Sequence, residues 1–289
     1  MASKTQITVL RDDSLARIPW LAHGFSTRLG GFSRAYGGRA LNLGFTKEDS
    51  RPAVERNRAA FLKAIGARDG RKSWPLVTLR QIHSDVIHCV SEMPATQLAG
   101  DGLITRIPHL LLGVQAADCI PVILVDRKRR VVGVFHAGWR GTLSRIVEKG
   151  VGEMRRWFGT MPRDIKAAIG PGIGRCCYQV GQEVRQKFES RFAYADDLFH
   201  ETKESDSMRE KYPLLFLNAR PPGHGDELTR IFLDLCEANR CQLIAAGVSP
   251  RNIGASSLCT ACHVDLLFSH RAEKGVTGRM MCVAGIKQA

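Results

Sequence analysis

The chain has 289 residues, of which 44% are apolar and 24% charged, so it has the balance of a globular protein with a sizeable core. No apolar run is long enough to span a membrane, and the N-terminus lacks the apolar core of a signal peptide. The nine cysteines therefore indicate reduced thiols in a cytoplasmic protein rather than a disulfide framework.

The net charge of +14 is concentrated in residues 1–150, which hold 23 Lys and Arg against 12 Asp and Glu. Such a field can attract a small anion such as phosphate. The densest basic run, residues 127–130, lies between two predicted strands and is interpreted as a solvated hairpin turn. Because no nucleic-acid-binding motif accompanies it, we do not expect a nucleic-acid partner.

The first half of the chain is predicted to contain one long loop, one helix and several strands. Residues 23–45 are rich in Gly and Arg and lack apolar periodicity, so we expect an ordered loop of the kind that often carries function. A helix is predicted between its cap at Ser50 and its stop at Gly66. Short apolar runs then predict strands over 74–80, 86–91, 102–106, 110–117, 121–126 and 131–136.

The second half has the clearest helical pattern, over 143–158, with Thr142 as its cap and Gly159 at its end. The segments predicted after it are a strand over 165–169, a helix over 183–189, a surface excursion over 193–211, a helix over 227–246 and strands over 253–258 and 279–286. The fold class is therefore α+β with a mixed β core flanked by helices. Residues 1–289 are expected to form one domain, or two closely packed subdomains.

Three possible metal ligands stand at the ends of apolar runs. Cys119 follows the run over 110–117, His136 ends the run over 131–136, and His83 follows another short run. One thiolate and two imidazoles without an evident fourth ligand are typical of a catalytic zinc site, whose last position is open to water or substrate. The alternative is that His136 and Trp139 only stabilise a turn.

The neighbours of these ligands suggest further roles. Asp118 ends a buried run and needs a partner there, so we expect it to accept a hydrogen bond from a ligating histidine. Arg140 lies in the glycine-rich turn after His136, where a helix is predicted to begin, and offers a forked donor for phosphate or carboxylate.

Other motifs are less informative. Cys259, Cys262 and His263 fit the spacing of covalent haem attachment, but the lack of an export signal argues against haem, and a single Cys-x-x-Cys pair is weak evidence for structural zinc. Their role stays open. The glycine-rich segment over 170–174 fits neither a P-loop nor a dinucleotide fingerprint, and no Gly-x-Ser-x-Gly elbow occurs.

Ordered motifs along nearly the whole chain resemble those of the YfiH/YlmD family, also called the laccase-domain or peptidoglycan-editing-factor family. They are Arg28-Leu-Gly-Gly, Leu41-Asn-Leu-Gly, Gln81-Ile-His, Gly100-Asp-Gly-Leu-Ile-Thr, Ala117-Asp-Cys-Ile-Pro-Val, His136-Ala-Gly-Trp-Arg-Gly, Ile169-Gly-Pro-Gly-Ile-Gly, Cys177-Tyr-Gln-Val-Gly, Cys259-Thr and Ser269-His-Arg.

The resemblance implies that His83, Cys119 and His136 bind a metal, usually zinc, with copper as a minor alternative. It implies a layered α+β fold related to a group of Cys/His toxin deamidases. It also implies a purine nucleoside enzyme that phosphorolyses adenosine, inosine and methylthioadenosine and deaminates adenosine. Within this interpretation the partners are a purine nucleoside and phosphate, and Arg28, Asn42 and Arg140 are candidate substrate contacts.

Alternatives stay open at this stage. A hydrolase of amides, including those of peptidoglycan precursors, could use Cys119 as nucleophile and His136 as base. A polyphenol oxidase is the weakest reading, because laccase chemistry needs several coppers and many histidines, whereas the chain has nine His and no His-x-His pair. A basic binding module without catalysis is the third alternative. Gln179, His270 and Arg271 depart from the family pattern, which puts substrate contacts near the C-terminus in doubt.

Overall fold

The structure, a computed structural model, describes residues 7–70, 72–204 and 228–288. The chain divides into two compact units, one made of Met1–Gly174 with Leu235–Ala289 and the other of Arg175–Asp234. The expectation of one domain over 1–289 stays a prediction. In the parts that the structure describes, no helix has the length and apolarity needed to cross a bilayer.

The secondary structure combines many short strands with a few helices. In chain order the strands are β1 (Val9–Leu10), β2 (Leu21–Ser26), β3 (Leu29–Ser33), β4 (Arg68–Asp69), β5 (Lys72–Ser73), β6 (Leu76–Thr78), β7 (Ile87–Cys89), β8 (Gly102–Thr105), β9 (Leu111–Ala116), β10 (Ile120–Asp126), β11 (Val131–Ala137), β12 (Ile165–Ile169), β13 (Gln179–Val180), β14 (Phe199–Glu204), β15 (Leu228–Leu233), β16 (Ile253–Ala255) and β17 (Met280–Ile286). The helices are α1 (Asp13–Ala16), α2 (Arg51–Ala64), α3 (Trp139–Leu143), α4 (Ile146–Phe158), α5 (Gln182–Glu189) and α6 (Leu235–Ala245).

Two mixed sheets form the centre of the first unit. One has the strand order β1–β2–β17–β9–β6, antiparallel except for the pair β9 and β6. The other has the order β16–β12–β10–β11–β8–β7, antiparallel in its middle and parallel at both edges. The hairpin β10–β11 is the middle of the second sheet, and all fourteen of its residues are buried.

The main core lies between these sheets. Apolar side chains of alternating strand positions meet there, including Leu112 and Val114 from one sheet and Ile123 and Val134 from the other. Helix α2 covers the outer face of the first sheet through Phe61 and its neighbours, while α4 packs against β11 of the second sheet. The first unit is therefore layered as helix, sheet, sheet and helix, which confirms the expected α+β fold with a mixed β core.

Local sequence accounts for the helix ends. The Ser50 side chain accepts the Ala53 N–H at 3.4 Å, and Pro52 stands in the first turn, so α2 begins where its cap predicts. Helix α4 ends at Gly159, whose φ of 65° is the left-handed conformation that glycine adopts without cost.

The second unit is a small three-stranded antiparallel sheet with the order β13–β15–β14, accompanied by α5. Helix α5 confirms the prediction over 183–189. Phe188 packs against the rings of Phe192 and Phe199 at centroid distances of 5.5 and 5.9 Å, which gives the unit an aromatic core of its own.

Two predicted elements are wrong. Residues 23–45 are not one loop, because β2 and β3 occupy Leu21–Ser26 and Leu29–Ser33. Strand β2 lies between β1 and β17 and is buried at every residue, so it lacks the alternation that would have revealed it. The predicted helix over 227–246 begins only at Leu235, since Leu228–Leu233 forms β15 between two strand neighbours; position 227 lies outside the described residues.

The helix predicted over 143–158 is split into α3 and α4. Arg145 interrupts it with a φ of 63°, and Thr142, the predicted cap, lies inside α3. Buried Asn239 and Gln242 of α6 donate to the hydroxyl and carbonyl of Thr142, which ties α3 to α6. The predicted strands of the first unit are confirmed, most of them with shorter bounds, while β10 begins one residue earlier and β11 ends one residue later than predicted. The surface excursion over 193–211 is described only to residue 204, where it includes β14.

Candidate metal and active site

The hairpin β10–β11 brings Cys119 and His136 to the same end of the second sheet. In its antiparallel register Ile120 pairs with Ala137 and Pro121 pairs with His136, so Cys119, directly before β10, lies beside the end of β11. The two residues are separated by seventeen positions in the chain but become neighbours through strand pairing.

His83 approaches Cys119 and His136 from a loop that the side chain of Gln81 anchors to β9. The Gln81 side chain donates to the Gln115 carbonyl at 2.8 Å and accepts the Gln115 N–H at 2.7 Å, so it pairs with β9 as a strand residue would. His83 itself has a φ of 58°, an uncommon conformation for a residue with a side chain. The loop therefore presents His83 from a fixed and strained backbone.

The three predicted ligands converge. Donor atoms of His83, Cys119 and His136 all lie within 4.8 Å of one another, and the two imidazole rings are nearly perpendicular with centroids 5.0 Å apart. His136 is buried, Cys119 is half-buried and His83 is exposed. The cluster thus opens to solvent on the His83 side and is closed on the His136 side, as a site with one free position requires.

Sequence reasoning missed Asp101, a fully buried carboxylate that contacts two of these residues. Its Oδ1 accepts the His136 Nδ1–H at 2.8 Å and the His83 N–H at 3.1 Å. Its Oδ2 accepts the N–H and hydroxyl of Ser84 at 2.6 and 2.8 Å, and the Ile82 N–H at 3.2 Å. The signal that could have identified it is an acidic residue between two glycines at the start of a buried strand.

The three ionisable groups perturb one another strongly. Burial raises the pKa of the Cys119 thiol, but the charges and hydrogen bonds of His136 and His83 outweigh burial and lower the pKa to about 6. Burial lowers the pKa of His136, but Cys119 and Asp101 raise it well above its ordinary value. Burial likewise opposes ionisation of Asp101, yet hydrogen bonds from His136 and Ser84 hold its pKa at about 2. The metal-free cluster therefore favours a thiolate, an imidazolium and a carboxylate.

Asp118 does not contact a ligating histidine, so that expectation is wrong. Its backbone has a φ of 95°, and its carboxylate faces a C-terminal segment. There it accepts the hydroxyls of Thr260 and Ser269 at 2.6 and 2.7 Å and the Arg271 N–H at 2.6 Å. These hydrogen bonds compensate the charge of the Asp118 carboxylate and hold the C-terminal segment beside Cys119.

Gly138 is a second residue that sequence reasoning left without a role at the ligands. A Cβ at this position would lie 2.9 Å from Cys119 Sγ and 3.1 Å from the His83 ring. Its φ of −72° is open to any residue, so the glycine is required by space and not by conformation. The ligand cluster is packed against bare backbone at this point.

The three candidate substrate contacts have different surroundings. The Arg28 guanidinium contacts the carbonyls of Val264 and Tyr36 and the Glu273 carboxylate, and Asn42 is fully buried with its amide bonded to backbone and to Asp49. Both side chains hold the protein's own loops together. Arg140 is exposed and stacks on Trp139 at 4.5 Å, which leaves it directed to solvent. All three assignments stay predictions.

The Cys-x-x-Cys motif and the residues near 270 belong to the same C-terminal segment. Cys259 is buried and its sulfur accepts the Gly174 N–H at 3.2 Å, while His263 Nδ1 lies 2.9 Å from the Cys259 carbonyl. Ser269 is fully buried and its hydroxyl donates to the Asp118 carboxylate, whereas His270 and Arg271 are exposed.

With this geometry established, comparisons with known proteins identify the family. The family model described as multi-copper polyphenol oxidoreductase laccase matches residues 22–287. The purine nucleoside phosphorylase YlmD of Geobacillus stearothermophilus is 33% identical over 93% of this chain and 95% of its own length. The chain belongs to this family. The family resemblance expected from the sequence is confirmed.

Other similar proteins extend this result. A purine nucleoside phosphorylase of Deinococcus radiodurans is 36% identical over 94% of this chain and 92% of its own length. Adenosine deaminase RL5, from an unknown prokaryotic organism, is 36% identical over 63% of this chain and 60% of its own length. The crystal structure of the Bacillus licheniformis hypothetical protein YfiH superposes with a TM-score of 0.78 at 32% identity, covering 99% of this chain and 98% of that one.

Proposed function

We propose that this protein is a zinc-dependent purine nucleoside enzyme, which phosphorolyses adenosine, inosine and methylthioadenosine and deaminates adenosine. The observation that carries the proposal is the convergence of His83, Cys119 and His136 within 4.8 Å at a half-open position. The names of two relatives that match over nearly their whole length, both purine nucleoside phosphorylases, support the reaction class.

The residues present fit a zinc ion. One sulfur and two imidazole nitrogens are ligands that zinc prefers, and the lowered pKa of Cys119 favours the thiolate form that binds metal. His136 uses Nδ1 for Asp101, so its Nε2 is the nitrogen left for a metal. When bound, the ion would act as a Lewis acid that orients phosphate or activates water.

The protein's own groups then perform separate tasks. Buried His136 and half-buried Cys119 form the fixed side of the site, and exposed His83 stands at its mouth. In phosphorolysis a phosphate oxygen bonds to the ribose C1′ as the bond from C1′ to the purine nitrogen breaks, the purine leaves with a proton taken from phosphate or water, and ribose 1-phosphate is formed. We assign phosphate binding to Arg140, because an exposed guanidinium two residues after Gly138 suits a bidentate anion contact.

Product analysis tests this proposal. Inosine should yield hypoxanthine and ribose 1-phosphate only when phosphate is supplied, and adenosine should also yield inosine by deamination. Arg140→Lys should raise the KM for phosphate about tenfold, since an ammonium cannot reproduce the bidentate fork. The variant should keep its zinc, because Arg140 is not one of the three proposed zinc ligands. Release of hypoxanthine from inosine without phosphate would contradict the phosphorylase assignment.

A second candidate function is favoured by Asp101. Without metal, Cys119 is a thiolate nucleophile, His136 is its proton-transfer partner and Asp101 is the carboxylate that orients His136, which is the arrangement of a cysteine hydrolase. This supports the alternative of an amide hydrolase that acts on peptidoglycan precursors. Phosphate-independent release of serine from a muropeptide precursor by metal-free protein, with no turnover of purine nucleosides, would replace the first proposal with this one.

The donor set weighs against an oxidase, despite the description of the matching family model. Among the described residues, His83, Cys119 and His136 are the only group of possible metal ligands that contains histidine. A laccase needs a cluster of coppers held by many histidines, whereas one thiolate and two imidazoles suit a single ion without redox chemistry. We therefore keep copper only as a minor alternative metal.

A further inference from the structure

We propose that Asp101 is the positioning residue of the site, orienting His136 for metal binding and holding the loop that carries His83. This inference rests on the proposed metal-dependent function and assigns to one carboxylate the geometry of two ligands. The two ligands come from different parts of the fold, a strand end and a loop, and Asp101 is hydrogen-bonded to both.

Tight packing fixes Asp101 in place. It is fully buried between Gly100 and Gly102 at the start of β8. A Cβ at Gly100 would lie 2.9 Å from the Val86 carbonyl, and one at Gly102 would lie 2.9 Å from the Phe135 ring. Because both flanking residues have no room for a side chain, the backbone that carries Asp101 cannot shift without displacing its neighbours.

The Oδ1 side of the carboxylate sets the orientation of His136. An ionised carboxylate only accepts, so the 2.8 Å contact requires the proton on His136 Nδ1 and leaves the Nε2 lone pair for a metal. The Asp101 carbonyl also accepts the His136 N–H at 2.8 Å, which fixes the backbone of the same residue. Main chain and side chain of His136 are thus both held by Asp101.

The Oδ2 side holds the loop of His83. It accepts the N–H groups of Ile82 and Ser84 and the Ser84 hydroxyl, and Oδ1 adds the His83 N–H. Three successive amides pointing at one carboxylate close the loop around it. These bonds offset the cost of the left-handed backbone at His83, a conformation that persists only when its surroundings impose it.

Substitution by asparagine separates the two tasks, because it replaces one acceptor with a donor. If the amide oxygen faces His136, the amide nitrogen meets the Ser84 N–H and the loop is released. If the oxygen faces the loop, the nitrogen meets His136 Nδ1, which must then accept, so the proton moves to Nε2 and blocks the metal. The first arrangement releases the loop that positions His83, and the second leaves His136 without a free Nε2 lone pair for the metal.

The first test is zinc affinity, measured by chelator competition on the full chain. Asp101→Asn should weaken zinc binding 10- to 100-fold, the usual effect of removing a carboxylate partner from a ligating histidine. Asp126→Asn is the matched control, because Asp126 is also fully buried and accepts the Lys128 and Arg129 amides. It lies at the end of the β10–β11 hairpin that is far from Cys119 and His136. The control variant should leave zinc affinity within about twofold of wild type.

The second test needs no metal. Amide hydrogen exchange in zinc-free protein should become faster at residues 82–84 in Asp101→Asn, and at residues 128–129 in Asp126→Asn, with neither variant affecting the other segment. In the zinc-loaded wild type, nitrogen NMR should find the His136 proton on Nδ1. Ser84→Ala removes one donor from Oδ2 and keeps the buried charge, so it should weaken zinc binding by a smaller factor if Asp101→Asn does not fold.

The outcomes separate this inference from the function it rests on. Unchanged zinc affinity in Asp101→Asn or Ser84→Ala, or an equal loss in Asp126→Asn, would overturn the role of Asp101. Protection of residues 82–84 that does not depend on Asp101 would overturn it as well. If wild-type protein bound no zinc through Cys119, the proposed function would fail, while the exchange experiment would still decide whether Asp101 holds the loop.

Discussion

The two ends of the β10–β11 hairpin differ in chemistry although they share the same pair of strands. At one end Ile120 pairs with Ala137 beside the candidate metal-ligand cluster, and at the other Asp126 pairs with Val131 beside the basic run over 127–130. Six residues at about 3.3 Å each separate the ends by about 20 Å. A carboxylate orders backbone amides at both ends, Asp101 at the first and Asp126 at the second.

The difference between the ends lies in burial. The turn over 127–130 has a high charge density, but its own side chains are exposed, and Lys128 reaches from solvent to the Asp164 carboxylate. At the other end fewer charges meet, yet they are buried or half-buried, and they shift the pKa values of Cys119 and His136. Charges that face water are screened and contribute little to stability or to the pKa values of their neighbours. Buried charges determine the protonation states of a site and the orientation of its side chains. Conspicuous charge in the sequence is thus a poor guide to the site.

The largest expected effect comes from removing a ligand. Cys119→Ser should lower bound zinc by one equivalent per chain relative to wild type and reduce nucleoside turnover at least about a hundredfold, because a hydroxyl does not replace a thiolate on zinc. His83→Ala and His136→Ala should do the same. At the other end of the hairpin, Arg129→Ser should keep full zinc content, measured by metal analysis of purified protein. Retention of zinc in all three ligand variants would place the metal elsewhere.

A smaller effect is expected from filling the space beside the sulfur. Gly138→Ala adds a methyl group 2.9 Å from Cys119 Sγ, so the thiolate must move and zinc affinity should fall about tenfold, as for overpacking that costs 1–3 kcal/mol. Gly152→Ala in α4 is the control, since no atom lies within 4 Å of its new methyl group. It should stabilise the protein by up to about 1 kcal/mol without changing zinc affinity. Equal affinity in the two variants would contradict the packing argument.

The pH dependence of alkylation tests the electrostatics of the site. In zinc-free protein Cys119, with a pKa of about 6, is mostly thiolate at pH 7, so its alkylation rate should fall about tenfold between pH 7 and pH 5 as the proton returns. A thiol with its ordinary pKa of 9.0 would lose about a hundredfold over the same interval. Cys89, whose pKa is raised by burial and by Glu153, is the internal control in a peptide-resolved mass-spectrometric assay.

The candidate ligands could be selected from the sequence because they are rare residue types near the ends of apolar runs, and their role as metal ligands stays a prediction. Cys119 and His136 are confirmed as neighbours, since strand pairing follows from two apolar runs joined by a short turn. Asp101 was missed because its partners lie 17–19 and 35 positions away in the chain, and nothing local reveals which carboxylate faces which histidine. Asp118 was assigned the wrong partners for the same reason.

The fold shows the same division between local and distant causes. Helix α2 was predicted correctly because Ser50, Pro52 and the apolar face are all local signals. Strand β2 was missed because its burial on both faces results from neighbours near residues 9 and 283, and His23, Gly24 and Ser26 conceal it in the sequence. The split between α3 and α4 depends on one left-handed residue, Arg145, that no composition rule anticipates.

A further comparison concerns backbone conformation at the two ends of the β10–β11 hairpin. Arg130 and Asp118 both have left-handed backbones, with φ of 51° and 95°. Arg130→Gly relieves this cost but gives the unfolded chain more freedom, so the free energy of unfolding should change by less than about 1 kcal/mol. Asp118→Gly relieves a similar cost yet leaves the buried hydroxyls of Thr260 and Ser269 without their acceptor, which should cost about 2–4 kcal/mol. Urea unfolding of both variants measures the difference, and equal stabilities would mean that the Asp118 carboxylate adds nothing beyond its backbone.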